Sequence, residues 1–316
     1  MRHFVIRILL CPLLLWAIYT ITFLMVVMVP GNPFAQDDRA TNQAVVDTIM
    51  AEYHADDNWE YYKFYLSNLF NPIDAIKQSG PLINLGPSWE YTEWSCNQII
   101  FASLPISMTL GFSAISLAVF LGIPIGVISA VKKNSWFDYA SLSIALIGIS
   151  LPTFVTGSTL LICCSVFWLF FPVEGWGTVG HLVLPAITLS LPFMAYIARL
   201  TRLGMLDVLS ADYIRTAQSK GLPPRRVIWT HAFKNAFLPV LSYLGPAIAQ
   251  ALTGSFVIEK IFNIPGLGQH FINGVINRDR GIIMATALVF SSVIIFFNIL
   301  IDMAYHLVDP RITVDK

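Results

Sequence analysis

The chain has 316 residues, of which 56% are hydrophobic and 12% are charged, and its mean hydropathy is +0.67. Because an ordinary soluble domain carries about 25% charged residues, this composition predicts an integral membrane protein. Nineteen basic and nineteen acidic residues cancel, so bulk charge excludes a basic nucleic-acid-binding protein.

The first predicted span is the uncharged run 8–29. It is long enough to cross a bilayer, which takes about 20 apolar residues. It is also longer than the core of a cleaved signal peptide, which is typically about 7–15 residues. The sequence PGNP at 30–33 ends it. We therefore expect residues 1–30 to form a retained N-terminal transmembrane helix.

Residues 31–100 differ from the rest, because they hold ten acidic and three basic side chains together with many aromatic ones. The stretch 43–68 is compatible with one or two amphipathic helices. This segment predicts a small extramembrane insertion between the first two spans.

Five further apolar runs are predicted to be transmembrane helices of a core region 101–310, which a tail at 311–316 follows. The run 137–171 is long enough to require tilt, a kink or a projecting end. The resulting fold class is an all-α polytopic membrane protein with six transmembrane helices and both termini on one side. The five runs lie near 104–131, 137–171, 182–206, 236–259 and 282–308.

The charges of the loops predict the orientation. One side carries thirteen basic residues and the other carries six, and the positive-inside rule places the richer side in the cytoplasm. Both termini and the loop 207–235 are then cytoplasmic, and the insertion 31–100 is outside. The thirteen are Arg2, Arg7, Lys132, Lys133, Arg199, Arg202, Arg215, Lys220, Arg225, Arg226, Lys234, Arg311 and Lys316.

Several functional motifs are missing from the sequence. No acidic or basic residue lies deep in a predicted span, which argues against a carrier driven by protons or sodium. No G-x-x-x-x-G-K-[ST] loop is present, so the chain has no ATP site of that type. The histidines and the four cysteines show no metal-ligand spacing. We expect no cofactor or metal on this chain, and nothing supports a membrane enzyme.

Glycine and proline interrupt the predicted spans at Gly122, Pro124, Gly126, Pro152 and Pro192. Small residues let membrane helices approach closely and prolines bend them, so packing is one interpretation. The other is that these residues are hinges that line a path opening and closing alternately. Both remain open at this stage.

The loop 207–235 is the most polar part of the predicted core. Residues 203–220 are compatible with a helix, and Gly221 suits the left-handed position after its end. Pro223 and Pro224 cannot continue that helix but suit the start of another. The pattern predicts two short helices that meet at an elbow. A solvated basic loop would explain the charges but not this order of residues.

Arg215-Thr216-Ala217-x-x-x-Gly221 resembles the EAA loop of ATP-binding-cassette (ABC) importer permeases, whose consensus begins Glu-Ala-Ala-x-x-x-Gly. More narrowly, DYIRTAQSKGLPPRRVIWTHAFKN at 212–235 resembles the B-type permease of the oligopeptide/dipeptide importer family. The chain departs from the general consensus at Arg215-Thr216 and at Lys234, as peptide-type B subunits also do. Similar stretches at 1–33, 104–111, 122–130, 242–247, 253–268 and 309–312 extend the resemblance over essentially the whole chain.

The resemblance implies the type I ABC importer permease fold and a position in the bacterial cytoplasmic (inner) membrane. It implies a second homologous permease subunit as a heterodimer partner, an extracytoplasmic peptide-binding protein and two cytoplasmic ATPase subunits, which would bind ATP and Mg²⁺. Thr216, Ala217 and Gly221 would form the core of the ATPase contact as a coupling helix. Arg215, Lys220 and Leu222 would flank that contact.

The resemblance also implies that a short helix within 263–280 dips back beneath the binding protein; an ordinary loop is the alternative. Oligopeptide import is the preferred function, because the resemblance includes NLGPSW at 84–89. Dipeptide, glutathione and nickel importers share the architecture and remain alternatives. A stand-alone secondary carrier or channel is a further alternative.

Overall fold

The computed structural model describes residues 2–28, 57–69, 83–91, 93–253 and 255–308. Much of the predicted insertion 31–100, namely 31–56 and 70–82, lies outside the described residues, as do the tail 311–316 and the similar stretch 309–312. The described chain is mainly helical, as the fold class predicted.

Thirteen α-helices are found in the described residues, and two π-helical stretches interrupt them. In chain order they are α1 (Arg2–Met28), α2 (Asn58–Leu69), α3 (Cys96–Val131), α4 (Trp136–Ser150), α5 (Thr153–Leu161), the π-helical stretch Ile162–Phe167, α6 (Val179–Leu209), α7 (Asp212–Ser219), α8 (Pro224–Arg226), the π-helical stretch Val227–Ala232, α9 (Phe233–Ala236), α10 (Leu238–Thr253), α11 (Phe256–Ile261), α12 (Leu267–Asn277) and α13 (Arg280–Val308).

Five segments of these helices are long and apolar enough to cross a membrane: 9–28 of α1, α3, α6, 238–261 across α10 and α11, and 280–301 of α13. A sixth span is possible if α4 and α5, with its π-helical continuation, count as one. The helix bounds therefore agree with the expected five core spans only if that bent pair is included.

The predicted span 137–171 is not a single helix. It is broken at residues 151–152, where its two halves bend by 103°. Leu151 is extended, with φ −79° and ψ 128°, because the ring of a following proline disfavours helical backbone at the residue before it. Pro152 then caps the start of α5. A proline that the sequence marked as an interruption thus produces a sharp change of direction.

Two other helices have bounds that differ from those predicted from the sequence. The helix expected over 203–220 breaks after Leu209, and Ala211 is extended before α7 starts at Asp212. The hydroxyl of Ser210 donates to the carbonyl oxygen of Asp207 at 2.8 Å, which helps to close the end of α6. The first core span starts eight residues earlier than expected, at Cys96.

The chain divides into two compact units, one of 1–106 with 265–293 and the other of 107–264 with 294–316. The first unit has an aromatic core in which Tyr19 of α1 packs against Tyr65 of α2, with ring centroids 5.8 Å apart. The hydroxyl of Tyr19 donates to the backbone carbonyl of Tyr62, and that of Tyr65 donates to the backbone carbonyl of Leu85. Because both of these hydroxyls have a hydrogen-bond partner, burying them does not cancel the free energy gained by burying the rings.

The second unit is organised around α6. Helices α4, α5, α9 and α10 all pack against it. Two glycines of α3 also lie on it: a β-carbon at Gly122 would stand 2.8 Å from the carbonyl oxygen of Met194, and one at Gly126 2.5 Å from that of Ala198. Side chains at either position would push α3 away from α6, so this G-x-x-x-G spacing sets the distance between the helices.

Candidate functional site

The elbow between α7 and α8 has the geometry of a Schellman motif. Gly221 has φ +74°, in the left-handed region. Its N–H donates to the carbonyl oxygen of Gln218 at 2.9 Å, and the N–H of Leu222 donates to that of Ala217 at 3.4 Å. These bonds satisfy carbonyls that the end of α7 would leave unpaired. Pro224 then begins α8, so the elbow agrees in detail with the sequence pattern.

The inner face of α7 is buried in an apolar cluster to which two long helices also contribute. Ile214 is fully buried and Ala217 is 7% exposed, and both belong to a cluster that we call the loop core. The cluster combines apolar side chains of α7, of the π-helical stretch Val227–Ala232, of α9 and of the long helices α3 and α6. The loop core consists of Val127, Ala130, Met205, Ile214, Ala217, Val227, Ala232 and Ala236.

This burial changes the role expected for Ala217. The resemblance placed its side chain in the core of a contact with another protein, whereas the structure turns it towards the chain's own loop core. Its small size allows α7 to lie close to the helices beneath it. Leu222 is half-buried against the same cluster. Both residues therefore hold the helix in place from below.

The outer face of α7 is polar and open. Arg215, Thr216, Lys220 and Gly221 are all exposed. Within the described part of the chain, an ion pair on this face joins Arg215 to Asp212 at 3.6 Å between two exposed side chains, and such pairs contribute little to stability. The outer face is thus a basic surface that remains available to a partner.

The segment 224–236 after the elbow, which we call the return arm, packs back on α7. Its π-helical stretch Val227–Ala232 buries Val227 and Ala232 in the loop core and leaves Trp229 49% exposed. In α9, the side-chain amide of Asn235 donates to the hydroxyl of Tyr213 at 2.9 Å. Because π-helical turns occur often at functional sites, the arm is a candidate part of the same surface.

A buried ion pair lies beside the loop core in the second unit. Arg202 of α6 donates to both carboxylate oxygens of Asp138 of α4, at 2.6 and 2.8 Å. The hydroxyl of Ser129 and the N–H of Asn134 donate to the same carboxylate. The pair therefore joins α3, α4 and α6. Arg202 was predicted only as one of the basic residues of the cytoplasmic side; Asp138, three residues after the capping Ser135, was the available signal for its partner.

The predicted hinge residues have different surroundings. Gly122 and Gly126 lie in tight contact with α6, while Pro124 is exposed on α3. Pro152 stands at the bend between α4 and α5, and Pro192 lies inside the continuous helix α6. The structure brings only the two glycines together, as packing residues. A hinge role for the five remains a prediction.

One close contact was not anticipated. A β-carbon at Gly204 would stand 2.6 Å from the carbonyl oxygen of Ala236, so α6 and α9 touch through their backbones. A glycine inside a helix pattern near the polar loop was the only sequence signal for it. The contact gives the loop 207–235 a second rigid attachment to α6.

In the first unit, Asp279 organises the segment that precedes α3. Its carboxylate is fully buried and accepts from the hydroxyl of Ser88 at 2.6 Å and from the N–H groups of Trp89 and Glu90.

In the same unit, the ring of His270 in α12 packs edge-on against Tyr91. Burial lowers the pKa of His270, which favours its neutral form. The short helix predicted within 263–280 is α12, which runs over Leu267–Asn277.

No cluster of three or more side chains suited to holding a metal ion was found within the described ranges. The candidate site consists of the elbow, the loop core beneath it and the ion pair beside it.

The amino-acid sequence is similar to transport permeases over most of its length. Residues 122–314 match the family described as "Binding-protein-dependent transport system inner membrane component". The dipeptide transport system permease protein DppB of Bacillus subtilis (strain 168) is 42% identical over 300 residues, which cover 95% of this chain and 94% of that protein. The oligopeptide transport system permease protein OppB of Escherichia coli (strain K12) is 39% identical over 94% of both chains.

A solved structure shows the same fold. A chain of the MetNI methionine ABC transporter, in an inward-facing conformation, superposes with a TM-score of 0.56 at 17% identity. The match covers 67% of this chain and 96% of that one. The fold is thus that of a type I ABC importer permease.

Proposed function

Because this chain belongs to the family of binding-protein-dependent transport system inner membrane components, we propose that it is a permease subunit that imports oligopeptides with energy from ATP hydrolysed by partner subunits. It contributes no catalytic group and forms half of the translocation path. The other half comes from a second homologous permease.

The observation that carries the coupling role is the way α7 is mounted. Its basic outer face is exposed, while Ile214 and Ala217 on its inner face are buried in the loop core, to which α3 and α6 also contribute. A partner that pushes on the outer face moves α7 together with the packed helices, because close-packed interiors transmit displacement instead of absorbing it. Cytoplasmic ATPase subunits bind here, with Arg215, Thr216, Lys220 and Gly221 in contact.

The proposed substrate is a short peptide delivered by an extracytoplasmic binding protein. The names of two relatives of similar identity support this class, since one is called a dipeptide and the other an oligopeptide permease. Dipeptide import by the same architecture is therefore the second candidate. Glutathione and nickel stay as alternatives from the sequence alone.

Uptake measurements in a strain that lacks this chain test the proposal. We expect the strain to lose uptake of labelled tri- and tetrapeptides and to regain it with the chain restored. ATP depletion should abolish uptake, and a protonophore applied at maintained ATP should not. Uptake that follows the proton gradient instead would identify a secondary carrier. Restored uptake of dipeptides alone, glutathione alone or nickel alone would assign that substrate.

The proposed orientation has both termini in the cytoplasm, following the distribution of basic loop residues. Alkaline-phosphatase fusions at Glu60 and Lys220 test it. We expect activity from the first and none from the second. An active fusion at Lys220 would reverse the orientation and remove the coupling role from α7.

A further inference from the structure

The exposed face of α10 differs from that of every other long helix in the second unit. No large apolar side chain is exposed anywhere along α10, all of whose residues are described. By contrast, α3 exposes 74% of Phe120, α4 exposes 65% of Ile144 and α13 exposes 59% of Phe296. Those exposed apolar side chains are suited to contact with lipid, and α10 offers lipid nothing similar.

The residues that α10 does expose form one continuous stripe. They are Pro239, Ser242, Pro246 and Gln250, which recur at intervals of three or four residues and therefore share one face of the helix. Tyr243, beside Ser242, is half-buried and packs against Tyr196 of α6, with ring centroids 4.4 Å apart. Tyr196 is itself 40% exposed. We call these six residues the polar stripe.

The stripe also has unusual backbone chemistry. Pro246 lies inside α10 and has no N–H, so the carbonyl of Ser242, four residues earlier, cannot receive the usual helical hydrogen bond from it. The hydroxyl of Ser242 donates to the carbonyl oxygen of Leu238 at 3.1 Å and keeps its own lone pairs free. Among the described residues the structure records no hydrogen bond to the side-chain amide of Gln250. Such groups are costly against hydrocarbon and are tolerated where water reaches them.

We propose that the polar stripe lines the water-filled passage through which the peptide moves, which extends the proposed function and rests on it. Its groups are neutral donors and acceptors: an amide, a hydroxyl, two phenols and a backbone carbonyl that lacks its usual helical donor. They match the N–H and C=O groups that all peptides share. Because the stripe carries no charge, it selects neither acidic nor basic side chains, as a passage for peptides of varied sequence requires.

Thiol labelling of the complete importer in membrane vesicles tests this assignment. Cys11, Cys96, Cys163 and Cys164 are first replaced by alanine, and uptake by this parent is checked. Single cysteines are then placed by Ser242→Cys and Gln250→Cys on the stripe, and by Phe120→Cys and Ile144→Cys as controls at positions that are also exposed. The probe is a charged, membrane-impermeant methanethiosulfonate, applied to right-side-out and to inverted vesicles, because an alternating passage opens to one side at a time.

We expect both stripe cysteines to react at least about tenfold faster than both controls in one vesicle orientation, because only a hydrated thiol forms the reactive thiolate readily. A transported tripeptide should slow their labelling and leave the controls unchanged. Equal labelling of stripe and controls would overturn the assignment and would mean that the stripe packs dry against another protein. That result leaves the proposed function standing, because uptake by the same vesicles is measured separately.

Gln250→Leu gives an independent readout. The variant keeps the approximate volume but removes the amide, so we expect peptide uptake to fall severalfold while the ATPase subunits still copurify with the permease. Unchanged uptake would contradict a hydrogen-bonding role for Gln250.

Discussion

The left-handed backbone at Gly221 allows a graded test of the elbow. With φ +74°, a residue with a β-carbon is disfavoured there by about 1–2 kcal/mol. No atom lies within 4 Å of a β-carbon built at this position, so the expected cost comes from the backbone alone. An energy of that size changes the population of the elbow by a factor of about 5–30.

The substitutions should therefore rank by their tolerance of this conformation. Asparagine visits the left-handed region most readily among residues with a side chain, so Gly221→Asn should behave almost as the natural protein does. Gly221→Val should lower coupling about 5–30-fold. Gly221→Pro should be more severe, because it also removes the hydrogen bond to the carbonyl of Gln218, worth about 1 kcal/mol. All three variants should still insert in the membrane.

The assay is the number of peptides imported per ATP hydrolysed in proteoliposomes that hold the complete importer. Gly177→Val is the matched control, because Gly177 also has positive φ, +121°, and also has no atom within 4 Å of a built β-carbon. It should lower stability without changing the ratio. A normal ratio for Gly221→Val would refute the coupling role of the elbow, and equal damage from Asn and Val would refute the backbone explanation.

Three further predictions follow from the packing around the loop. Ala217→Trp should overfill the loop core, destabilise it by about 1–3 kcal/mol and detach or uncouple the ATPase subunits, whereas Ala217→Ser should not. Copurification of the ATPase subunits and peptide uptake measure the two effects. Gly126→Ala should lower the melting temperature and the uptake rate, because its methyl group would overlap α6, whereas Gly148→Ala has 3.4 Å of clearance and should be tolerated. Asp138→Asn should destabilise the purified importer by about 3 kcal/mol in thermal unfolding, and replacing Asp138 and Arg202 together by leucine should restore most of that loss. Tolerated Gly126→Ala, or a double variant no better than Asp138→Asn, would contradict the respective contacts.

Local sequence chemistry predicted the elbow well, since its order of helix, glycine and proline residues determines the backbone without help from distant parts of the chain. Gly221 and Pro224 are explained in this way, whereas the break that precedes α7 at Asp212 was not predicted. The spans were predicted from hydropathy for the same reason: length and apolar content are local properties.

Contacts between distant segments were not predictable from one sequence. The partners Asp138 and Arg202 are 64 residues apart, and the sequence around either residue does not indicate the other as its partner. Whether Ala217 faces a partner or the loop core depends on how α7 is rotated, which the cluster beneath it decides. Proline alone did not predict where a span would break, since the chain bends by 103° at Pro152 whereas Pro192 inside α6 leaves that helix continuous.

Photocross-linking from the outer face of α7 tests the central claim most directly. A photoreactive phenylalanine at the exposed Thr216, in the assembled importer, should form a covalent adduct with a cytoplasmic ATPase subunit, and the yield should change when ATP binds. The same residue at Ile144, which is 65% exposed on α4, should form no ATPase adduct. An importer that copurifies with its ATPase subunits but gives no adduct from Thr216 would contradict the account.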